Sequence, residues 1–367
     1  MRGDKNTAFF HVTTMIRRQR NKIKSIKNFV GEWITDMEVV KNHTLDGFSR
    51  LFTTELKFST STSDVSCFSH SFLSEKEKTK LCTEVTDEEI KTSLWAHKPF
   101  KAPGVDGFHA GFYQHFWLDV RNTVCMEVKK TFQSRVILEY LNKTLIGLIP
   151  KCPNPEMLGS YRPIGLCTMV YKLITKTIIS RIRPYLDKLI SLVQTTFVSG
   201  RRGLDNILIA QELVYSIGNK KGKEAYMAIK VDLEKTYDRL EWNFIHKVLI
   251  AYHFPEQLIK LIMSCVSTTS ISILFNRSSL ESFYPSRDIR QGDPLSPYLF
   301  ILYMEYLGTL IERECLKGDW VPIKASKNNT GVSHLFFAND LMLFAKASEK
   351  GSEAIKEVLN CFCSESG

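Results

Sequence analysis

The hydrophobic positions of this chain alternate between a period of two and a helical period along most of its length. In AYMAIKVDL (225–233), Met227, Ile229, Val231 and Leu233 recur at every second position, with Ala228, Lys230 and Asp232 between them. That pattern predicts a strand with one buried face, and it sets Asp232 near the strand end, facing away from the core. LIGLIPK (145–151) predicts a second strand. HLFFANDLMLFAKA (334–347) holds two apolar runs, Leu335 to Ala338 and Leu341 to Ala345, with only Asn339-Asp340 between them. Such a two-residue polar break predicts a tight hairpin, since Asn and Asp tolerate the positive φ of a primed turn. Taken alone, Asn339-Asp340 reads as a turn and nothing more.

Helical spacing governs 112–136 and 169–189, the latter with Pro184 marking a turn-start or kink. In TDEEIKTSLWAHK, Thr86 and Glu89 form a capping-box pattern ahead of a helix that Pro99 stops. KPFKAPGVDGF then packs Pro99, Pro103, Gly104 and Gly107 into one tight loop carrying Lys98, Lys101 and Asp106. EKTYDRLEW, after the 225–233 strand, predicts a helix start. In IRRQRNKIKSIKNFV (16–30), Ile16, Ile23, Ile26 and Val30 fall near helical spacing, predicting an amphipathic helix with a basic face. The Ser/Thr-rich stretch 58–75 has no steady period and reads as a linker. No internal repeat is seen. Alternating strands and helices imply an α+β fold with a sheet covered on one face.

Composition narrows the classes. With 367 residues, 44% hydrophobic and 24% charged, the chain reads as an ordinary globular protein of one large or two smaller domains. No apolar run approaches the ~20 residues of a membrane helix, and MRGDKNTAFF lacks the apolar core of a secretory signal, so neither membrane nor secretion is expected. The nine cysteines are scattered without a CxxC pair, which argues against zinc and for reduced, intracellular thiols. The net charge of +10 is concentrated: residues 1–30 carry eight Lys/Arg against one acid, Asp4. Arg17, Arg18, Arg20, Lys22 and Lys24 lie in a run without an acid, which favours a polyanion partner over a merely solvated face.

Three stretches combine as candidate chemistry. VDLEKTYDRLEW holds Asp232 and, five residues on, Tyr237; IRQGDPLSPYLF (289–300) sets Gln291-Gly292 in a turn before a helix; FFAND carries Asn339-Asp340. Each is weak singly, and their order is what is specific.

That order resembles the palm of reverse transcriptases, and the chain is identified as a member of the non-LTR retrotransposon polymerases of the long-interspersed-element type common in plant genomes. The resemblance extends through GDKNTAFFH (3–11), KPFKAPGVDGFHAGFYQHFW (98–117), LIPKCPNPEMLGSYRPIGLCTMVYKLITK (148–176) and FVSGRRGLDNIL (197–208). It implies a right-hand polymerase: a basic helical N-terminal extension (1–57), a linker (58–75) and a reverse transcriptase domain (76–367). Within that domain it implies fingers to about 222, then a palm with an antiparallel sheet and a thumb largely absent. It implies Asp232 and Asp340 as ligands of Mg²⁺, with Mn²⁺ as alternative, and Tyr237 as the aromatic beside the incoming sugar. Gln291 and Gly292 match the turn that contacts nucleotide and template, and Arg162 a cation near the triphosphate. Lys151 and Arg201 match further basic contributors to the groove. The implied partners are an RNA template, a DNA primer and deoxynucleoside triphosphates, and the implied workplace is the nucleus.

The sequence departs from the pattern at Asn339, where the family carries Asp, at Thr236, where it usually has Ala, and at the truncated thumb. An impaired polymerase and a catalytically dead nucleic-acid-binding remnant are both open at this point, as is a decay product with no selected role.

Overall fold

The computed structural model describes residues 7–54, 72–220, 224–324, 330–337 and 340–367. In chain order the first elements are α1 (Ala8–Arg20), β1 (Ile26–Lys27), β2 (Trp33–Ile34), α2 (Met37–Leu51), α3 (Glu75–Leu81), α4 (Asp87–Trp95), α5 (Ala110–His115) and α6 (Trp117–Ser134). The middle of the chain forms β3 (Lys143–Pro150), β4 (Tyr161–Cys167), α7 (Met169–Ile182), α8 (Leu186–Leu189), α9 (Gly203–Asn219), β5 (Tyr226–Asp232) and α10 (Thr236–Arg239). The rest comprises α11 (Trp242–Ala251), α12 (Glu256–Ser267), β6 (Ser270–Phe275), β7 (Ser278–Ser279), α13 (Ser296–Lys317), β8 (His334–Phe337), β9 (Asp340–Lys346) and α14 (Glu349–Ser366). These elements divide into two compact units. No helix among the described residues is long and apolar enough to cross a membrane.

The first unit gathers residues 1–54, 84–177 and 261–294. Its sheet has the order β4-β3-β6-β7, with β3 antiparallel to β4 and parallel to β6. Ile146, Leu148, Ile273 and Phe275 from this sheet bury against Val40, Phe48 and Phe52 of the α2 region, so the N-terminal segment supplies part of the core. The capping box expected at Thr86 is present: the Thr86 hydroxyl accepts from Glu89 N–H, and the Glu89 carboxylate accepts from Thr86 N–H at 2.9 Å.

The basic helix expected over 16–30 is shorter than its apolar spacing implied. Helix α1 ends at Arg20, capped by Asn21, and Ile23 and Ile26 turn inward as extended chain, with Ile26 paired to Ile34. The Asn276 side chain clamps Ile23 at both ends of its peptide, accepting from Ile23 N–H at 2.9 Å and donating to Ile23 C=O at 2.8 Å. Burial of those two isoleucines in the core outweighs the helical option for a segment whose remaining residues are mostly cationic.

The second unit gathers residues 55–83, 178–260 and 295–367. Its sheet has the order β5-β9-β8, antiparallel throughout. One side of this sheet packs on α9, where Leu213 meets Leu335, Phe344 and Ile323. Helix α13 is buried along most of its length, and Tyr303 and Phe244 meet Phe362 of α14 in a cluster of tilted and edge-on rings. Pro184 sits in a 3-10 turn between α7 and α8, as its missing N–H and fixed φ favour. Of the linker expected over 58–75, residues 58–71 lie outside the described residues. Ser74 already caps α3, with the Glu77 carboxylate accepting its N–H at 2.7 Å.

Candidate active site

The strand predicted at 225–233 is β5, and its alternation holds: Ala228, Lys230 and Asp232 are exposed, while Met227, Ile229 and Val231 are half-buried. Its antiparallel partner β9 runs in a register that pairs Asp232 directly with Asp340. Residues opposed across such a pair have Cα atoms about 4.5–5.5 Å apart, with side chains on the same face. The two carboxylates therefore share one exposed edge of the second unit. Two positions back along β5, Lys230 projects from that face and its Nζ lies 3.1 Å from Asp340 Oδ1. Asn339, where the resemblance leads one to expect Asp, lies with Ala338 outside the described residues. The flanking strands pair as a hairpin requires, Phe337 opposite Asp340.

After Asp232 the chain turns sharply at Lys235, whose φ of 51° is left-handed, and α10 begins at once. Thr236 fits this turn, its hydroxyl donating to Leu233 C=O at 2.9 Å. Tyr237 is thereby held one turn beyond Asp232, its ring stacked on Phe300 at 4.8 Å and 16°. Burial of its phenol pushes the pKa up to about 12, so Tyr237 acts as a neutral, packed ring.

Arg162, Lys151, Gln291 and Gly292 belong to the first unit. Arg162 is exposed at the start of β4, across from Ile149, and Lys151 follows the end of β3 on the same hairpin. Lys151 Nζ donates to Gly159 C=O at 2.9 Å within that loop. The Gln291-Gly292 turn docks on the middle of β4: Gly165 N–H donates to Gln291 C=O at 2.6 Å. Gly292 has φ 109°, and a Cβ there would stand 2.7 Å from Gly165 O. Glycine is required at 292 on both grounds.

Sequence reasoning passed over what anchors this turn. Arg290 is 3% exposed, and its guanidinium donates to Asn142 Oδ1 at 2.6 Å, Thr144 Oγ1 at 2.9 Å and Cys265 C=O at 2.6 Å. It also donates to the Tyr171 hydroxyl and lies over the Tyr171 ring at 4.3 Å. Tyr171 Oη in turn donates to Asp293 Oδ2 at 2.6 Å. A buried ion pair is thus wrapped in hydrogen bonds on both sides of Gln291-Gly292, the condition under which such a pair is tolerated.

The basic residues divide. Arg17, Arg18 and Arg20 are exposed in the last turn of α1, and Lys22 and Lys24 are exposed beyond it. Arg201, in contrast, has a side chain only 9% exposed. It binds Asp187 Oδ1 at 2.9 Å and the carbonyls of Ile190 at 2.7 Å and Gln194 at 2.8 Å, and so holds the 187–194 segment together. Its planar fork is occupied by the chain itself.

The chain is similar in sequence to several known proteins. The uncharacterized 149 kDa protein of transposon TX1 from Xenopus laevis is 24% identical over 302 residues, which cover 82% of this chain and 23% of that protein. The Pol polyprotein from the type-2 retrotransposable element R2DM of Drosophila melanogaster is 28% identical over 198 residues, 54% of this chain and 18% of the relative. An uncharacterized mitochondrial protein of Arabidopsis thaliana is 52% identical over 56 residues, 15% of this chain and 46% of that protein. The chain thus spans less than half the length of each of these relatives. The family described as reverse transcriptase (RNA-dependent DNA polymerase) matches residues 149–367, which include Asp232, Tyr237, the Gln291-Gly292 turn and Asp340. The chain belongs to the reverse transcriptase family.

Proposed function

We propose that this chain is the nucleotidyl-transfer domain of a non-LTR retrotransposon reverse transcriptase, extending a DNA primer on an RNA template with deoxynucleoside triphosphates. The observation that carries the reading is the Asp232–Asp340 pair, opposed across two strands on an exposed face in a chain of this family.

The residues fit Mg²⁺ in chemistry: two exposed carboxylates supply hard oxygen donors from different elements, and the cation now beside Asp340 is a solvated lysine that can swing away. Asp232 and Asp340 would hold the ion, which when bound activates the primer hydroxyl and neutralises charge on the departing pyrophosphate. Tyr237 presents a rigid ring beside Asp232 and bars bulk at the sugar. Gln291 and Gly292 offer backbone to nucleotide and template from a turn that Arg290 holds. Arg162 offers a guanidinium to triphosphate oxygens.

A second reading is favoured by Asn339, which brings an amide where the family carries a carboxylate. A chain unable to hold its metal would work as a nucleic-acid-binding remnant through its exposed cations, Arg17, Arg18, Arg20, Lys22 and Lys24. Primer extension on an RNA template with Mg²⁺, run beside the Asp232→Asn variant, separates the two. Incorporation lost in Asp232→Asn supports the polymerase. RNA binding with no incorporation in either chain supports the remnant.

A further inference from the structure

The KPFKAPGVDGF loop, which plays no part in the acid pair, borders a cavity of about 740 Å³ contained within the first unit. Its walls are aromatic: Phe100, Phe108, Phe112 and Phe116, with His109 and His115 between them. Phe100 is 65% exposed, and Phe108 and Phe116 are 44% exposed. The rings are arrayed in a series, Phe108 to Phe112 at 4.6 Å, Phe112 to Phe116 at 5.2 Å and Phe100 to His109 at 5.4 Å.

The loop is held rigidly. Gly111 N–H donates to Pro99 C=O at 2.9 Å, and Gln114 Nε2 donates to the carbonyls of Leu94 at 3.1 Å and His97 at 3.0 Å. Gly104 is pressed so closely on the Cys167–Thr168 backbone that a Cβ would come within 2.5 Å of Cys167 C. Exposed phenylalanines on a hydrogen-bonded framework are a surface whose backbone needs little further ordering to meet a partner.

Charge selects the partner. Lys98 and Lys101 bracket Phe100 and are exposed, and Asp106 is the single acid in residues 96–117. Lys172 reaches the same loop, its Nζ donating to Ala102 C=O at 3.4 Å. Aromatic faces rimmed by cations bind unpaired nucleic-acid strands, because every base stacks and every phosphate is neutralised.

We propose that this cavity is a stacking site for single-stranded RNA, with Phe100, Phe108 and Phe116 as base platforms and Lys98 and Lys101 taking the flanking phosphates. The site deepens the reading of the chain as a polymerase of an RNA template, since it would grip unpaired template, yet its test needs no nucleotide addition. A field of lysines is already felt nearby: burial, then Lys176, Lys172 and Lys101, bring the His97 pKa down to about 4.

The test is fluorescence anisotropy of the full chain with a labelled oligoadenylate of about twelve nucleotides, beside a duplex RNA of the same length. Phe100→Ala should weaken the single strand about tenfold and leave the salt slope and the duplex affinity unchanged, while Phe100→Trp retains binding. Lys101→Ala should lower the magnitude of the salt slope by about 0.7. Single-strand affinity unchanged in both Phe100→Ala and Phe116→Ala, or an equal loss for duplex, overturns the proposal. So does a Phe100→Ala variant that dissociates a dimer, which would give the face to a second copy of the chain. Phe100 is mostly solvent-exposed, so thermal unfolding of the variant should match the parent and confirm that folding is intact. Loss of primer extension with these outcomes preserved would count against the polymerase reading alone.

Discussion

Lys230 reaches diagonally across the β5–β9 pair to Asp340, Nζ to Oδ1 at 3.1 Å, on the face that carries Asp232. In the proposed site the lysine occupies a carboxylate that a divalent ion would use, and a bound ion would have to displace it. Both side chains are more than half exposed, at 65% and 54%, so the pair is worth only about 0–1 kcal/mol. Lys230→Ala should tighten Mn²⁺ binding, read by electron paramagnetic resonance, by no more than about fivefold. Weaker binding in the variant would show that the lysine assists the ion.

Position 339 should govern rate. A unit charge ~4 Å from a divalent ion contributes on the order of 8 kcal/mol of gross Coulomb energy at an effective dielectric near 20. Most of that is returned by solvent, and each ~1.4 kcal/mol kept at the transition state is tenfold in rate. Asn339→Asp should raise Mg²⁺-dependent primer extension at least about tenfold. Equal rates for the two chains would mean that the amide serves as well as the acid.

Arg290 should tolerate no substitution. Arg290→Ala leaves Asp293 buried beside Tyr171 without its cation and should cost about 3–5 kcal/mol in a urea melt. Arg290→Lys should recover less than half of this, because one ammonium cannot span Asn142, Cys265 C=O and Tyr171 together. Full recovery by lysine would reduce the network to a simple charge.

Glu305 should make stability fall with rising pH. Burial, partly offset by the Ser191 N–H that donates to its Oε2 at 3.0 Å, pushes its pKa up to about 8. The folded chain then keeps a proton that the unfolded chain releases above its ordinary value near 4.5. Stability from this group is complete below that value and declines by about 1.4 kcal/mol per unit as pH climbs towards 8. Glu305→Gln, which cannot titrate, should gain on the parent between pH 5 and pH 8 in denaturant midpoints. A constant difference across that range would place the ionised carboxylate in the fold.

What could be read from the sequence was what local spacing encodes. The period-2 run at 225–233 announced β5 and the outward face of Asp232, and Thr86 with Glu89 announced the start of α4. What escaped was decided by distant partners. Ile23 and Ile26 suit a helix by spacing alone, and only Asn276 and Ile34 reveal that they are extended. Arg290 reads as one residue of a polar turn until Asn142, Thr144, Tyr171 and Cys265 close around it from three other stretches of the chain. The resemblance implies Arg201 as a contributor to a basic groove, and its sequence gives no sign that carbonyls of the 187–194 segment surround it.

In the sheet ordered β5-β9-β8, the strand bearing Asp232 is an outer strand whose neighbour begins at Asp340. About a hundred residues of chain separate the two acids, so their meeting awaits the far end of this sequence. At a synthesis rate of roughly 5–20 residues per second, β5 emerges from the ribosome about 5–20 s before its partner. During that interval its backbone lies open on both sides, and the exposed Lys230 and Asp232 are what discourage mispairing with another nascent strand. Asp232, which would serve chemistry in the proposed site, would thus also help guard its strand while the protein is being made.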